Sequence, residues 1–572
     1  MTAIRVHFRD RKLWSESGTT YTRGSAYLDD TLVSNSSLPQ VFSRQRTFNG
    51  FLSALKQLNG FFAVVHQVDD ATFLAVDHVR SCPLFYSVGM KEFYVSDDPY
   101  WIQEQIGEHG VDELSAAEFL LAGYVTGNDT LSPHVKQVQA GEALAVASTS
   151  GTLRVTPAWY YEYGLGNYFT ESREKLLARL DDVLKSVFKR LIRWADGRTI
   201  VVPLSGGIES RTVVLMLKRL GYDNIVAFSY GREGNKESSI SKRAASTLGI
   251  RWEFIPYSNE AWHKWYRSEE WEMYWRMASG LSSVPHIQDW PAVWELQRQQ
   301  LIPQDSVFVP AHLAGNQFAI GMQGLQQFHL VSSPTAWSKR RVINRNRVAN
   351  QKELLAYVCR AFYPLRDWSK QRAELEPKLT EKIVRLLGTR PTYKTEDAFD
   401  TYRRWWWQGG DSKFLVNSVR VYNFWGYEWW LPLWDLEIAN FWSRVPIIHR
   451  FERNLSKAHF KELEMKMTKC NIGVHRGDPR PISFVGNLLR KTPLYSQARR
   501  IYGLVEYDRH SLAWYGIIPK KVFSHSFTGK ENINSYLASD LLERIIQDSN
   551  RKQGSNKLRN DLPHHNQEEE RK

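Results

Sequence analysis

The chain has 572 residues, is 42% hydrophobic and 24% charged, and carries a formal net charge of +14, which predicts at least two domains with a large buried core. No apolar run approaches the ~20 residues that span a bilayer, the opening Met1-Thr2-Ala3-Ile4-Arg5 has no signal-peptide pattern, and Cys82, Cys359 and Cys470 lie too far apart for a disulfide framework or a metal motif; the expectation is a cytoplasmic protein without a transmembrane segment. The positive charge is compatible with nucleic acid, an anionic surface or an acidic substrate, but without an RNP, zinc-finger or helix-turn-helix pattern it reads as a basic solvated surface and no nucleic-acid partner is expected.

The first stretch of the chain reads as strands and turns. Runs at 60–65, 71–77, 83–87 and 93–96 are separated by Gly, Asp and Pro, which predicts antiparallel pairing. A helix is expected over 114–121 with Gly123 near its end, then a strand pair between 142 and 155. Apolar residues at Leu176, Leu177, Leu180, Val183, Leu184 and Val187 share one helical face over 171–194 and mark the entry to a second domain. From there strands alternate with helices: strand 199–204, helix 210–220 stopped by Gly221, strand 225–230, helix 236–248, strand 252–256 and, after a Trp-rich insert, strand 306–310. Such alternation predicts a parallel sheet with ligands beyond the carboxyl ends of its strands, where Ser205, Tyr230 and Ala311 fall. Residues from 354 to about 547 read as helical, and the polar end beyond 547 as a disordered tail. The domain expectation is therefore 1–165, 170–547 and a tail over 548–572.

The chemistry concentrates at Leu204-Ser205-Gly206-Gly207-Ile208-Glu209-Ser210. A β-type run ends in a hydroxyl, two glycines, a carboxylate and a second hydroxyl, and a helix follows at once. Glycines allow close backbone approach to a polyphosphate, and the helix N-terminus adds the positive end of its dipole. The Gly-Lys-Ser/Thr ending of a Walker A loop is missing. The 22 tryptophans include runs at 404–407 and 425–430, which offer faces for sugar rings or a peptide groove, although aromatic residues more commonly fill cores. His286 and Asp289 are three apart, the spacing of a shared helical face; a substrate role and a structural hydrogen-bonded pair are both open.

The 205–210 loop resembles the SGGxDS loop of the PP-loop ATP pyrophosphatases, and the chain as a whole resembles the asparagine synthase family. In the first domain Leu58-Asn59-Gly60-Phe61-Phe62-Ala63-Val64 resembles LNGxFA, Asp77-His78-Val79-Arg80 with Pro83-Leu84-Phe85-Tyr86 resembles DRxGxxPLYY, and Leu121-Ala122-Gly123-Tyr124-Val125 resembles LxFGYxP. In the second, Glu428-x-x-Leu431-Pro432-Leu433-x-Asp435 resembles ExRxPFLD, and a basic helix follows at Leu455-Ser456-Lys457. The implied fold class is α/β plus α+β: a degenerate Ntn-hydrolase-like, glutaminase-derived β-rich domain, then a PP-loop synthetase domain with a parallel sheet and a helical extension. The implied cofactors are ATP and Mg²⁺. Leu204, Ser205, Gly206, Gly207, Glu209, Ser210 and Tyr230 match the ATP and pyrophosphate cradle, Lys457 the phosphate-contacting lysine, and His286 with Asp289 the acceptor region.

The departures shape the functional expectation. Glutaminase members begin Met-Cys-Gly-Ile and use the exposed cysteine as nucleophile; here Thr2 stands there, no HNGE segment occurs, and the stretch before Leu58 is about half the family's usual length. Glu209 replaces the aspartate of SGGxDS. The second acidic loop, SGEGxDE, corresponds to Pro310-Ala311-His312-Leu313-Ala314-Gly315-Asn316-Gln317, so that His312 takes the position of the proton-handling glutamate and Asn316 that of a metal-side aspartate, giving Glu209 and Asn316 as the metal pair. The resemblance implies an ATP-dependent carboxylate–amine ligase forming acyl-AMP, with a small-molecule or sugar carboxylate as substrate, such as a uronic acid of a surface polysaccharide, and ammonia or an amine from another protein. An intramolecular cyclase of the lasso-peptide or β-lactam type and a nucleotide-binding pseudoenzyme are the alternatives.

Overall fold

The computed structural model describes residues 3–69, 71–89, 92–149, 152–164, 166–311, 348–366, 374–388, 390–450, 453–473, 495–526 and 532–560. Thr2, His312 and Asn316 lie outside the described residues. The chain has a sheet-rich first part and a helix-rich second part built on a parallel sheet.

The short apolar runs of the first part pair into two sheets. In the larger, the strands run in the order Thr152–Trp159, Glu142–Thr149, Ala71–Val76, Leu58–Val68, Thr20–Leu28 and Ser15–Ser17, with Thr31–Val33 added beside Thr20–Leu28. All of these pairings are antiparallel. Gly60 is a glycine for lack of space: a Cβ there would stand 2.3 Å from the Ala26 Cα of the facing strand. The smaller sheet runs Ala3–His7, Glu92–Ser96, Phe85–Val88, Lys136–Gln137. Its Phe85–Val88 and Glu92–Ser96 strands pair antiparallel as expected, and an additional edge strand, Ala3–His7, runs parallel to Glu92–Ser96. The connection between those two strands passes through the larger sheet and is long enough for a crossover.

The second part alternates as the periodicity predicts. Helix Arg173–Ala195 leads into strand Ile200–Pro203, helix Ile208–Arg219, strand Ile225–Gly231, helix Lys236–Thr247 and strand Arg251–Pro256. The sheet order is Arg251–Pro256, Ile225–Gly231, Ile200–Pro203, Val307–Phe308, Glu428–Trp429, all parallel. The fifth strand lies inside the segment that resembles ExRxPFLD, and two residues are too few to show a period. At the far end, helix Ile533–Asn560 continues well past 547, so 548–560 is not the disordered segment expected. Asp548 pairs with Arg276 and Lys552 with Glu104, anchoring a stretch that composition alone reads as solvated. Residues 561–572 lie outside the described residues.

Tryptophan joins the two parts. The indole of Trp407 is fully buried and donates to the His78 carbonyl at 2.8 Å, while a His78 ring nitrogen stands 2.8 Å from the Trp434 carbonyl. Trp430 meets Phe61 edge-on with centroids 4.9 Å apart. Trp405 and Trp429 are buried as well, so these four rings do not present the sugar-stacking faces considered from sequence. Beside them sits Asp435, 2% exposed. Arg190 grips both its oxygens at 3.0 and 2.8 Å, and Asn59 donates to it at 2.9 Å. Asn59 also accepts from the Leu436 amide at 3.0 Å, and Tyr27 donates to the Arg190 carbonyl at 2.6 Å.

Replacing Asp435 by Ala leaves Arg190 buried with only Glu437, 2.7 Å away, as counter-charge. The expected loss is about 3 kcal/mol, the lower end for breaking one side of a buried ion pair, read as a lowered urea midpoint of the full chain. An unchanged midpoint contradicts the junction described here.

Candidate functional site

The central strand ends at Pro203, and Leu204 holds the turn that follows. Its amide donates to the Phe228 carbonyl at 2.8 Å, and its carbonyl accepts the Ser229 hydroxyl at 2.7 Å. The loop then closes on itself. Ser210 Oγ accepts from the Ser205 amide at 3.0 Å and lies 2.9 Å from Ser205 Oγ, which accepts from the Gly207 amide at 3.2 Å. The two serines thus brace the bend from inside.

Gly207 is the residue before the helix and supplies no side-chain cap, so the first-turn amides of Ile208–Arg219 face the loop without a side-chain acceptor at that position. Its φ of −78° is open to any residue. A Cβ there would be tight, 3.2 Å from Ser205 Oγ and 3.3 Å from Glu209 Oε2. The carboxylate of Glu209 therefore overhangs the cradle, and its Oε1 is paired with Arg453.

Arg453 brings a second helix to the loop. It sits at φ 62°, left-handed backbone rare for a long side chain, directly before helix Asn454–Thr468. That helix packs on Ile208–Arg219. Arg211 reaches Glu464 at 2.6 Å with both side chains buried, stacks over the Phe460 ring at 4.8 Å, and donates to the Gly207 carbonyl at 3.1 Å. Burial pushes the Arg211 guanidinium below its usual range, and Glu464 opposes that. Asp181 adds a second tie, meeting Arg219 at 2.9 Å and His459 at 2.9 Å. Lys457, one turn after Arg453, is exposed, and its amide donates to the Arg453 carbonyl at 2.8 Å. Glu209 and the start of the Lys457 helix are thereby on the same side of the molecule. Arg453 and Arg211 were not singled out from sequence; the signal available for Arg211 was its place just before the apolar run Val213–Leu217.

The second group lies near the strand ends. Tyr230, in the last turn of its strand, stacks on Tyr257 with centroids 5.3 Å apart. His286 and Asp289 do not share a helical face: both lie in the irregular segment before helix Trp290–Arg298, with Asp289 at its N-cap. They still meet, His286 Nε2 to Asp289 Oδ1, at 3.1 Å. Asp289 is fully buried and also accepts from the Tyr422 hydroxyl at 2.7 Å. Burial, with the Asp289 charge behind it, pushes the phenols of Tyr230, Tyr274 and Tyr422 well above their usual range, so they remain donors. The His286 side chain is 16% exposed, an imidazole oriented by a buried carboxylate and still reachable, which is an arrangement able to move a proton.

For metal, the described residues contain no group of three or more His, Cys, Asp or Glu side chains that could hold an ion. Glu209 offers one carboxylate, with Arg453 on one of its oxygens. That donor set fits Mg²⁺ bound chiefly through phosphate oxygens, the usual habit of that ion.

No family model matches the chain. It is similar to carboxyethyl-arginine β-lactam synthase from Streptomyces clavuligerus, 28% identical over 200 residues, which are 35% of this chain and 36% of that protein. The chain thus spans about a third of the length of the curated relative it matches. Among solved structures it is similar to an NH3-dependent NAD synthetase from Campylobacter jejuni (12% identity, 41% of this chain and 94% of that one, TM-score 0.18) and to a glutamine-dependent NAD+ synthetase from Acinetobacter baumannii (10%, 62% and 87%, 0.19). It is also similar to glutamine phosphoribosylpyrophosphate amidotransferase from Bacillus subtilis (12%, 44% and 73%, 0.18). With TM-scores this low the structural likenesses carry no weight here, and the strand order above stands on its own.

Arg211→Met leaves Glu464 buried without its partner. We expect a loss of about 3–5 kcal/mol and faster proteolysis within 454–468. Equal cleavage rates in variant and parent contradict the tie between the two helices.

Proposed function

We propose that the chain belongs with the PP-loop ATP pyrophosphatases and is an ATP-dependent ligase that activates a carboxylate as its mixed anhydride with AMP, in the manner of asparagine synthase. The observation that carries this reading is the braced Ser205–Ser210 bend at the carboxyl end of the central strand, with Arg453 drawn onto Glu209 from the neighbouring helix. In this reading Leu204, Ser205, Gly206, Gly207 and Ser210 cradle the phosphates with backbone amides and hydroxyls. Arg453 and Lys457 place positive charge where pyrophosphate leaves. Tyr230 lines the adenylate side. Glu209 would offer a carboxylate to Mg²⁺, which would neutralise phosphate charge. His286, oriented by Asp289, takes a proton from the attacking amine. His312 and Asn316 remain proposals from the resemblance alone, as do the domain limits 1–165 and 170–547.

The first part of the chain serves in this reading as a structural remnant of a glutaminase, so nitrogen comes from ammonia or from an amine on a second molecule. A sugar uronic acid is one candidate for the carboxylate. The similarity to a β-lactam synthase favours a second reading, an intramolecular cyclase, in which acid and amine belong to one molecule. The two separate by product: ligation with ammonia adds nitrogen, whereas cyclisation only removes water.

The test is Mg²⁺-dependent pyrophosphate release from ATP over a panel of carboxylates and amino-carboxylates. Lys457→Ala is expected to lower release about 100-fold, as for loss of one transition-state contact. If no acid elicits pyrophosphate and Lys457→Ala changes nothing, the ligase reading fails. His286→Gln is expected to slow product formation about 100-fold while ATP–pyrophosphate exchange continues at the parent rate. Parallel loss of both assigns His286 to nucleotide activation instead.

A further inference from the structure

A cavity of about 230 Å³ lies between the two parts of the chain, away from the 205–210 loop. Arg9, Arg23 and Arg80 face it from the sheet-rich part, and Ser279, Asn417 and Arg420 from the helical part. Two of the four arginines have carboxylate partners: Arg23 has Asp97 at 3.3 Å and Arg9 has Asp98 at 2.8 Å. The other two do not. Arg80 and Arg420 are 3% and 4% exposed, and among the described residues neither has a carboxylate within ion-pair distance.

What they do touch is neutral. Arg80 Nε donates to the Val138 carbonyl at 3.1 Å, and its guanidinium lies 5.5 Å from the Phe85 ring centre. Arg420 donates to the Ser81 carbonyl. Arg80 Nη2 and Arg420 Nε are buried donors with no protein acceptor among the described residues. Asp77, the carboxylate next to Arg80 in sequence space, is already filled: it accepts from the amides of Phe62, Val79 and Ser81 and from the Ser81 hydroxyl. Burial and then the Arg420 charge pull Arg80 down to about 9, and burial with Arg23 pulls Arg420 down to about 10. Two buried like charges lining one cavity without a carboxylate partner are costly unless an anion joins them.

We propose that this cavity binds a small oxyanion, phosphate in size and charge, between Arg80 and Arg420. The planar fork of each guanidinium suits the oxygens of such an ion. A cavity of about 230 Å³ leaves room for phosphate with part of its hydration. The anion bridges a residue of each part of the chain and so fastens them together. It also steadies the short helix Arg420–Phe424, whose Tyr422 donates to Asp289, which links the ion to the His286 group without touching it.

The test uses the full chain with inorganic phosphate as probe, chloride holding ionic strength constant. Hydrogen exchange is expected to slow saturably at 277–282 and 417–424. Phosphate affinity is expected to fall at least about tenfold in Arg420→Met, the cost of one charged hydrogen-bond partner, and to persist in Ser210→Ala, which alters only the nucleotide loop. Should Arg420→Met fail to fold, exchange in the parent protein decides. Protection confined to 205–210, no protection, or equal protection by chloride overturns the proposal.

Discussion

Asp435 is a carboxylate taken almost wholly out of water, and the arrangement of the chain turns on how it is held. Arg190 from the entry helix of the second part meets it with two parallel bonds, and Asn59 from the central sheet of the first part supplies a third. A buried charge tolerates little displacement of its partners, because each lost bond leaves a group unsolvated. The same short stretch carries the fifth strand of the parallel sheet, Glu428–Trp429, and the Trp434 carbonyl beside His78. Eight residues, 428–435, therefore close one sheet and lock it against another.

The Ser205–Ser210 loop inherits its shape from that frame. Its strand sits in the middle of the parallel sheet, and its helix is clamped from behind by Asn454–Thr468 through Arg211, Glu464 and Asp181. The clamp brings Arg453 to Glu209. The Glu209 carboxylate lies beside Gly207 while still reaching the Arg453 guanidinium. Trp407 and Trp430 act elsewhere, as large apolar plates in the seam between the two parts; Trp407 uses its donor on a carbonyl across that seam.

Much of this was legible beforehand because it depends on local pattern. Helix 171–194 announced itself by a stripe of leucine and valine, and Gly221 stops the loop helix at φ 80°. The Ser205–Ser210 bend could be found because a tight turn between strand and helix needs small residues in fixed order. The polar tail was misread: Asp548 and Lys552 look solvated in composition and are held helical by Arg276 and Glu104, partners several hundred residues away. The His286–Asp289 pairing was anticipated from a helical spacing, yet it arises in a loop, with Tyr422 contributing from a distant segment.

By itself, then, the sequence determined the alternation of elements and the place of the glycine-bearing turn, since each is written in neighbouring residues. Tertiary structure alone decided what the charged residues do. Arg190, Arg211, Arg453, Arg80 and Arg420 are indistinguishable as letters. Whether an arginine locks two sheets, braces a loop or waits for an anion depends on which distant groups share its burial, and no local pattern encodes that distance.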